Sequence, residues 1–501
     1  MIILADPNQD NNIKNEILTT NLNDNLKKLQ DIFAYPLNKD FLIKNISITC
    51  LHRKGAILYL NPIADKEKID NHIITPLMFT KLDKPFGDIG TILVENVLSS
   101  KESGKTNKIK ELIDEILNGN TILLVEGYNQ AILLFTAKIQ HRAIEKPTNE
   151  NTSKGPKESF TEWGEGNRSL IRKTLKDPNL VTEVIAIGKD KHTEVALMYI
   201  NGIVNPKLLN KVKERIDGVT EESVERIPML EQWIEDRPYS LLPSTFATER
   251  PDRVCYFLKE GHIGLLMDSS SDCIIVPVTF WTFFHTADDM YQRWMYGNFL
   301  RFLRVIAIFI AIMLPGFYIA VTNYHIDMIP TDLVIAIAAS REKLPFPAMM
   351  EILLMEMSFE LIREAGVRIA TNIGPTIGIV GALILGQAAV EANVISPMLV
   401  IIVALTGLSS FAIPEQNIGF VVRIGRFGFL LAGSLGGFYA IGLVIAASFA
   451  YASVFESFGV PFFSPKSPYY PSSKDFFTRL PVFKQKRRPI NMEPEDPARE
   501  K

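Results

Sequence analysis

The chain has 501 residues, more than one hydrophobic core usually organises, so two or three domains are expected. Its net charge of -3 and the lack of a strongly basic stretch argue against a nucleic-acid-binding protein. Cys50, Cys255 and Cys273 are too far apart in sequence for a disulfide framework or a zinc-binding spacing, and we expect buried thiols.

The N-terminal half alternates between strand-like and helix-like segments, which predicts two small α/β subdomains. A polar extension over residues 1–40 contains one amphipathic helix near 22–33. The first subdomain covers 41–144, and a linker rich in Pro, Gly, Asn, Glu and Lys follows over 145–168. In the first subdomain we expect strands at 46–51 and 56–60 around a turn at Lys54-Gly55, a helix at 108–117, and a hairpin of 121–126 with 131–137.

The second α/β subdomain is expected over residues 169–290. The apolar stretch 273–284 is too interrupted for a membrane span, and we expect it to dock on the membrane surface or lead into the first membrane helix. The other expected elements are strands at 182–187 and 194–200, a helix at 206–216, and a strand pair of 254–258 with 262–267.

The chain then changes character and predicts an α-helical multi-pass membrane domain over residues 291–456. About 20 apolar helical residues are needed to cross a bilayer. Four stretches without Asp, Glu, Lys or Arg qualify, at 305–324, 369–390, 392–414 and 427–455.

Both ends of this domain are basic, so we expect both termini in the cytoplasm, with a cytoplasmic tail over residues 457–501. This topology places Arg423 and Arg426 on the outer side, which counts against it.

An amphipathic or re-entrant region is expected over 329–368. Glu356, Glu360 and Glu364 recur every four residues and share one helical face. These carboxylates either line a cation pathway or form a solvated or ion-paired face. Gln387 and Glu391, at the end of the second span, are either a second ionisable site or a cap at the interface.

Four glycines in the spans have the spacing that brings helices close together: Gly374 with Gly378, and Gly433 with Gly437. No catalytic constellation, metal-ligand spacing or cofactor motif is found, so an enzyme is not expected. Residues 103–106 read Ser-Gly-Lys-Thr, like the end of a phosphate-binding loop, but Ser99 stands where that motif needs glycine.

The run from Glu360 to Arg368, the sequence Thr248-Glu-Arg-Pro-Asp252 and several shorter stretches resemble the A subunits of the spore germination nutrient receptors, the GerA family. The run from Glu360 to Arg368 is the most specific of these, and the similarity extends from about residue 40 to residue 482. Two departures are Lys154, where the family linker begins with arginine, and Pro375, where it usually has glutamine. Further similar stretches are 154–160, 267–270, 276–278, 330–331, 340–342, 345–347, 374–381, 386–392 and 457–461.

The resemblance implies a protein of the spore inner membrane that acts with a transporter-like B subunit and a lipoprotein C subunit. It also implies a homo-oligomer of A subunits in contact with membrane lipid, forming part of a nutrient-gated ion pathway. The alternative within the same family is a stage V sporulation paralogue, an accessory to dipicolinate release. A secondary transporter is disfavoured by the small number of spans, and a membrane-anchored scaffold is disfavoured by the acidic helical face.

Overall fold

The computed structural model describes residues 16–82, 87–98, 103–138, 147, 150, 152–189, 193–220, 224–367, 386–470 and 478–499. Within them, two mixed α/β units precede a group of long apolar helices, in agreement with the predicted fold class of the N-terminal half.

The first unit is a five-stranded antiparallel sheet that is covered by helices on both faces. The elements are α1 Leu22–Ile32, β1 Phe41–Ile48, β2 Arg53–Leu60, α2 Lys66–Ile69, α3 Thr75–Phe79, α4 Ile89–Ile92, β3 Ser103–Thr106, α5 Ile109–Leu117, β4 Thr121–Val125 and β5 Ala131–Leu134. The strand order is β1-β2-β4-β5-β3. Alternate residues of β2 point to opposite sides: Leu58 packs against α1 and α5, and Ile57 packs against the layer that contains α2 and α3.

The structure tests two local predictions in this unit, one about a turn and one about a segment that resembles a phosphate-binding loop. The predicted turn at Lys54-Gly55 is wrong, because β2 begins at Arg53 and the turn lies at residues 49–52. Gly55 is required by packing: a Cβ there would lie 2.9 Å from Ile48 Cδ1 and 3.1 Å from Leu124 O. Residues 103–106 form strand β3, and Lys105 Nζ lies 2.8 Å from the Asp88 carboxylate, so this segment is not a phosphate-binding turn.

The second unit is also a five-stranded antiparallel sheet, in the order β6-β7-β9-β10-β8. The strand predicted at 254–258 is wrong: Pro251 begins helix α9 there, and its apolar residues are buried on several sides, which hides the helical periodicity. The elements are α6 Gly164–Thr174, β6 Leu180–Ile187, β7 Thr193–Ile200, α7 Pro206–Asp217, α8 Ile227–Ile234, β8 Phe246–Thr248, α9 Pro251–Lys259, β9 Ile263–Met267 and β10 Cys273–Val276.

A buried ion pair joins the two units. Asp40, just before β1, is 1% exposed and accepts hydrogen bonds from Arg172 Nε at 2.6 Å and Arg168 Nη1 at 3.0 Å on α6. The Thr182 hydroxyl of β6 donates to the same carboxylate at 2.7 Å. Because a buried charge is costly unless it is fully paired, these contacts fix the first unit against the second.

The C-terminal region contains two described helices that are long and apolar enough to cross a membrane, Trp294–Tyr324 and Gln416–Ser453. The first and fourth predicted spans correspond to them, but both helices begin earlier than predicted because the charged residues near their starts are paired. Most of the second predicted span lies outside the described residues, and the third is a shorter helix. The elements are α10 Asp288–Tyr291, α11 Trp294–Tyr324, α12 Thr331–Arg341, α13 Ala348–Val367, α14 Pro397–Phe411 and α15 Gln416–Ser453.

Helix α15 has two limbs, residues 416–435 and 438–453, separated by non-helical backbone at Gly436 and Gly437. Gly437 has φ +60°, and the Tyr324 hydroxyl of α11 donates to Ser434 O at 2.7 Å beside the break. A straight helix of 38 residues would span about 57 Å. Instead, Ile418 from its start and Ala452 from its end belong to the same buried cluster of the second unit. The chain therefore turns back at the glycines.

The chain after α15 packs into the second α/β unit. Phe455 and Phe462 are completely buried there, on either side of a short hairpin of β11 Glu456–Ser457 and β12 Val460–Pro461. Ser457 Oγ donates to Ser244 O and accepts from Val278 N. The region predicted as a simple tail is thus partly structural.

Candidate functional site

The central feature of the apolar helices is a buried pair between Glu356 of α13 and Arg426 of α15. Both side chains are essentially inaccessible, at 0% and 1% exposure, and Arg426 Nη1 donates directly to Glu356 Oε2. Charged groups inside an apolar bundle are tolerated when they are paired with each other. The pair therefore holds α13 against the first limb of α15.

Glu360, one helical turn after Glu356, extends this pair into a cluster. It lies 3.2 Å from Arg426 Nη2, 3.4 Å from Arg423 Nη1 and 3.7 Å from Arg363 Nη1. We name Glu356, Glu360, Arg363, Arg423 and Arg426 the charge cluster. With both carboxylates ionised, three guanidinium groups face two carboxylates, and these five side chains carry one net positive charge.

The charge cluster explains the two arginines that counted against the predicted topology. Arg423 and Arg426 lie within α15, and the acidic face of α13 neutralises them. Both groups of charges are visible in the sequence, as carboxylates at intervals of four residues and as arginines three residues apart beside an apolar run. Their pairing across 63 and 70 residues of sequence was not predicted.

The other predicted site residues are Glu364, Gln387 and Glu391. Glu364 is exposed on the next turn of α13. Gln387 and Glu391 are exposed and bonded to each other, with Gln387 Nε2 donating to Glu391 Oε1 at 3.1 Å. The structure therefore brings Glu356 and Glu360 together, with Glu364 one turn further along the same helix, whereas Gln387 and Glu391 bond to each other.

A second buried carboxylate on α13, Glu351, is in contact with the start of α14. It is 0% exposed, and its Oε2 accepts a hydrogen bond from Ser396 N at 3.0 Å. The Arg341 guanidinium lies at the distance limit of an ion pair with it, with Nε 4.0 Å from Glu351 Oε1. In the sequence, Glu351 was only part of the region 329–368, and no partner was predicted for it.

Glycines permit the close crossing of α11 and α15. A Cβ on Gly433 would lie 2.9 Å from the carbonyl carbon of Gly316, and one on Gly316 would lie 2.7 Å from that of Phe429. Gly437 contacts Tyr324 and sits at the break in α15. Gly374 and Gly378 lie outside the described residues.

A buried acidic group marks the junction between the α/β units and α11. Asp289 of α10 accepts hydrogen bonds from Arg301 Nε at 3.0 Å and Arg304 Nη1 at 2.9 Å. Burial acts to raise the pKa of Asp289, but its hydrogen bonds to Arg304 and the charges of both arginines outweigh burial and lower the pKa to about 2. The carboxylate is thus ionised near neutral pH and fixes the base of α11.

The linker between the two α/β units is held at the same junction. The Arg250 side chain is 0% exposed and donates to Pro156 O at 2.8 Å and to Asp252 Oδ2 at 3.0 Å. Tyr291 of α10 also donates to Asp252 Oδ2, at 2.6 Å, and its ring packs on Gly155. The linker thus touches both the second α/β unit and the helix immediately before α11.

A family model described as the Bacillus/Clostridium GerA spore germination protein matches residues 27–491, which include all of these features. The chain belongs to the GerA family. Curated relatives support this assignment. Spore germination protein KA of Bacillus subtilis (strain 168) is 37% identical over 465 residues, which is 92% of this chain and 85% of the relative. Spore germination protein GerLA of Bacillus cereus is 34% identical over 480 residues, which is 96% of this chain and 97% of the relative.

Spore germination protein A1 of Bacillus subtilis (strain 168) is 35% identical over 456 residues, covering 90% of this chain and 92% of the relative. Among solved structures, the N-terminal domain of the A subunit of the Bacillus megaterium spore germinant receptor GerK3 matches with a TM-score of 0.41 and 24% identity. That match covers 53% of this chain and 98% of the crystallised domain. Membership of the GerA family gives this chain a role in spore germination.

Proposed function

We propose that this GerA-family chain is the A subunit of a nutrient-responsive germination receptor in the spore inner membrane. It acts there with a transporter-like B subunit and a lipoprotein C subunit, and several A subunits assemble together. Its apolar helices contribute to an ion pathway that the nutrient opens. The observation that carries the pathway is the buried Glu356–Arg426 pair between α13 and α15.

Exposure of the apolar helices supports their placement in a membrane. In the most apolar 18-residue stretch of α11, only 33% of the residues are buried within the chain, and the same share is buried in the corresponding stretch of α15. Large apolar side chains such as Leu435 and Phe302 are 79% and 64% exposed. A core helix of a water-soluble protein would be mostly covered, whereas these surfaces suit lipid or neighbouring subunits. The break at Gly436-Gly437 divides α15 into two limbs, and in the proposed arrangement each limb is a separate membrane segment.

The charge cluster is suited to the closed state of such a pathway. Its net positive charge opposes cation passage while Glu356 and Glu360 are paired with arginines. Three of its polar atoms, Glu356 Oε1, Arg363 Nε and Arg426 Nε, are buried without a hydrogen-bond partner among the described residues. Separation of α13 from α15 would expose both carboxylates, and water would then satisfy these atoms.

The energies involved are compatible with control by a ligand. Removing one partner of a buried ion pair costs about 3–5 kcal/mol. Moving a two-state equilibrium from about 1:99 to 99:1 requires about 5.5 kcal/mol of differential ligand affinity. A nutrient bound to the receptor complex can therefore offset the loss of one such contact, provided that it binds the open state more tightly.

Potassium release from purified spores that lack this chain tests the assignment. For a receptor subunit, we expect release to be lost for one nutrient class and retained for the others. The stage V alternative predicts normal nutrient-triggered potassium release followed by slow dipicolinate release. That second result would contradict the proposed receptor role.

A further inference from the structure

A cavity of about 350 Å³ lies between the end of α9, the turn Phe280–Phe284 and the C-terminal residues 478–499. Its volume is within the range of small-ligand sites, which is about 300–1,000 Å³. It is separate from the charge cluster, none of whose members contributes to its wall.

The floor of the cavity is aromatic and carries hydroxyl groups. Trp281, Thr279 and Thr282 line it and are 8%, 6% and 6% exposed. His262 also lines it, and burial lowers the pKa of His262 to about 4, so this imidazole is neutral near pH 7. The floor thus offers apolar surface and neutral hydrogen-bonding groups, without a fixed charge.

The rim of the cavity is strongly basic. Lys484, Lys486 and Arg487 line it, are exposed, and make no ion pair with any described residue. A fourth cation, Arg499, is neutralised by Glu260, with Arg499 Nη2 2.5 Å from Glu260 Oε1. Three positive charges therefore remain at the mouth of an aromatic cavity, which favours an anionic ligand.

The basic segment is fixed to the start of α11. Arg479 N donates to Asn298 Oδ1 at 2.7 Å, and Trp294 Nε1 donates to Arg479 O. Val482 and Phe483 come shortly after Arg479, since the chain from Arg479 to Phe483 can extend over at most about 14 Å. Their side chains are 70% and 72% exposed. An exposed apolar pair followed by basic residues, beside the beginning of an apolar helix, is typical of contact with an anionic membrane surface.

We propose that this cavity binds a phosphate-bearing anion, with Lys484, Lys486 and Arg487 around the phosphate and the aromatic floor against the attached group. The source of the phosphate is an anionic phospholipid or a soluble phosphate ester. The exposed Val482–Phe483 pair favours the lipid, because it would enter the bilayer beside the bound headgroup.

The test uses the purified full-length chain in detergent, with two ligand arms. In the first arm, native mass spectrometry follows retention of phosphatidylglycerol compared with phosphatidylcholine. In the second arm, isothermal titration calorimetry follows binding of glycerol 1-phosphate. The variant K484Q/K486Q/R487Q is compared with K27Q/K39Q/K54Q, which removes three exposed positive charges from the first α/β unit.

Each cation near an anionic surface contributes about 1 kcal/mol, so loss of three should weaken binding about 100-fold. Preferential phosphatidylglycerol retention that is lost in the rim variant and kept in the control supports the lipid source. Binding of glycerol 1-phosphate with the same dependence on the rim, without lipid preference, supports the soluble ester. If neither ligand distinguishes the rim variant from the control, the site does not exist.

Discussion

The crossing of α11 and α15 makes a quantitative prediction for Gly433. In Gly433→Ala, the new methyl group would lie 2.9 Å from the carbonyl carbon of Gly316 and closer still to its oxygen. Carbon atoms pack at about 3.5–4.0 Å, so the two helices must separate by about 1 Å. Overpacking of this kind costs about 1–3 kcal/mol, and here the obstacle is backbone that cannot rotate away.

The matched control is Gly428→Ala on the same limb of α15, where a Cβ meets nothing within 4 Å. This change should be neutral, or stabilising by up to about 1 kcal/mol from helix propensity. Thermal unfolding of the detergent-solubilised chain measures both variants. We expect a midpoint several degrees lower for Gly433→Ala and unchanged or higher for Gly428→Ala. Equal midpoints for the two variants would refute the close crossing.

Two further predictions concern the junction between the α/β units and the start of α11. Asp289 has a pKa of about 2 against an ordinary value of 3.8, so its ion pairs stabilise the fold by about 2 kcal/mol above pH 4, and this stability is lost as pH falls towards 2. Asp289→Asn should abolish that component of the pH dependence of unfolding, and identical pH profiles would contradict it. Arg250→Lys cannot donate to Pro156 and both oxygens of Asp252 in the same planar geometry. It should lose about 2–3 kcal/mol and increase protease cleavage of the linker, whereas Arg237→Lys, at an exposed hydrogen bond, should have little effect.

The sequence predicted elements best where one periodicity dominates. Helix α5 is amphipathic and was expected at 108–117, within one residue of its bounds. The hairpin of β4 and β5 was predicted from apolar runs on either side of Gly127, which adopts φ +75° in the turn. In each case the local pattern and the tertiary burial agree.

Prediction failed where burial hides periodicity or where partners are distant in sequence. The residues of α9 are buried on several sides, so they were mistaken for a strand although Pro251 marks a helix start. The break in α15 depends on the backbone of Gly436-Gly437 beside Tyr324, which an uninterrupted apolar run does not reveal. For Glu356, the sequence left solvation, ion pairing and a cation pathway open, and the structure shows ion pairing with Arg426.

Potassium release from spores carrying charge-cluster variants tests the central proposal most directly. Arg426→Gln leaves Glu356 buried without its partner, which weakens the contact between α13 and α15. We expect potassium release without nutrient in this variant, and no nutrient-independent potassium release in the double variant E356Q/R426Q. Glu342→Gln, at an exposed glutamate that follows α12, is the control and should behave as the unmodified chain. If immunoblots show normal amounts of Arg426→Gln and its potassium release is unchanged both with and without nutrient, the charge cluster does not control the pathway.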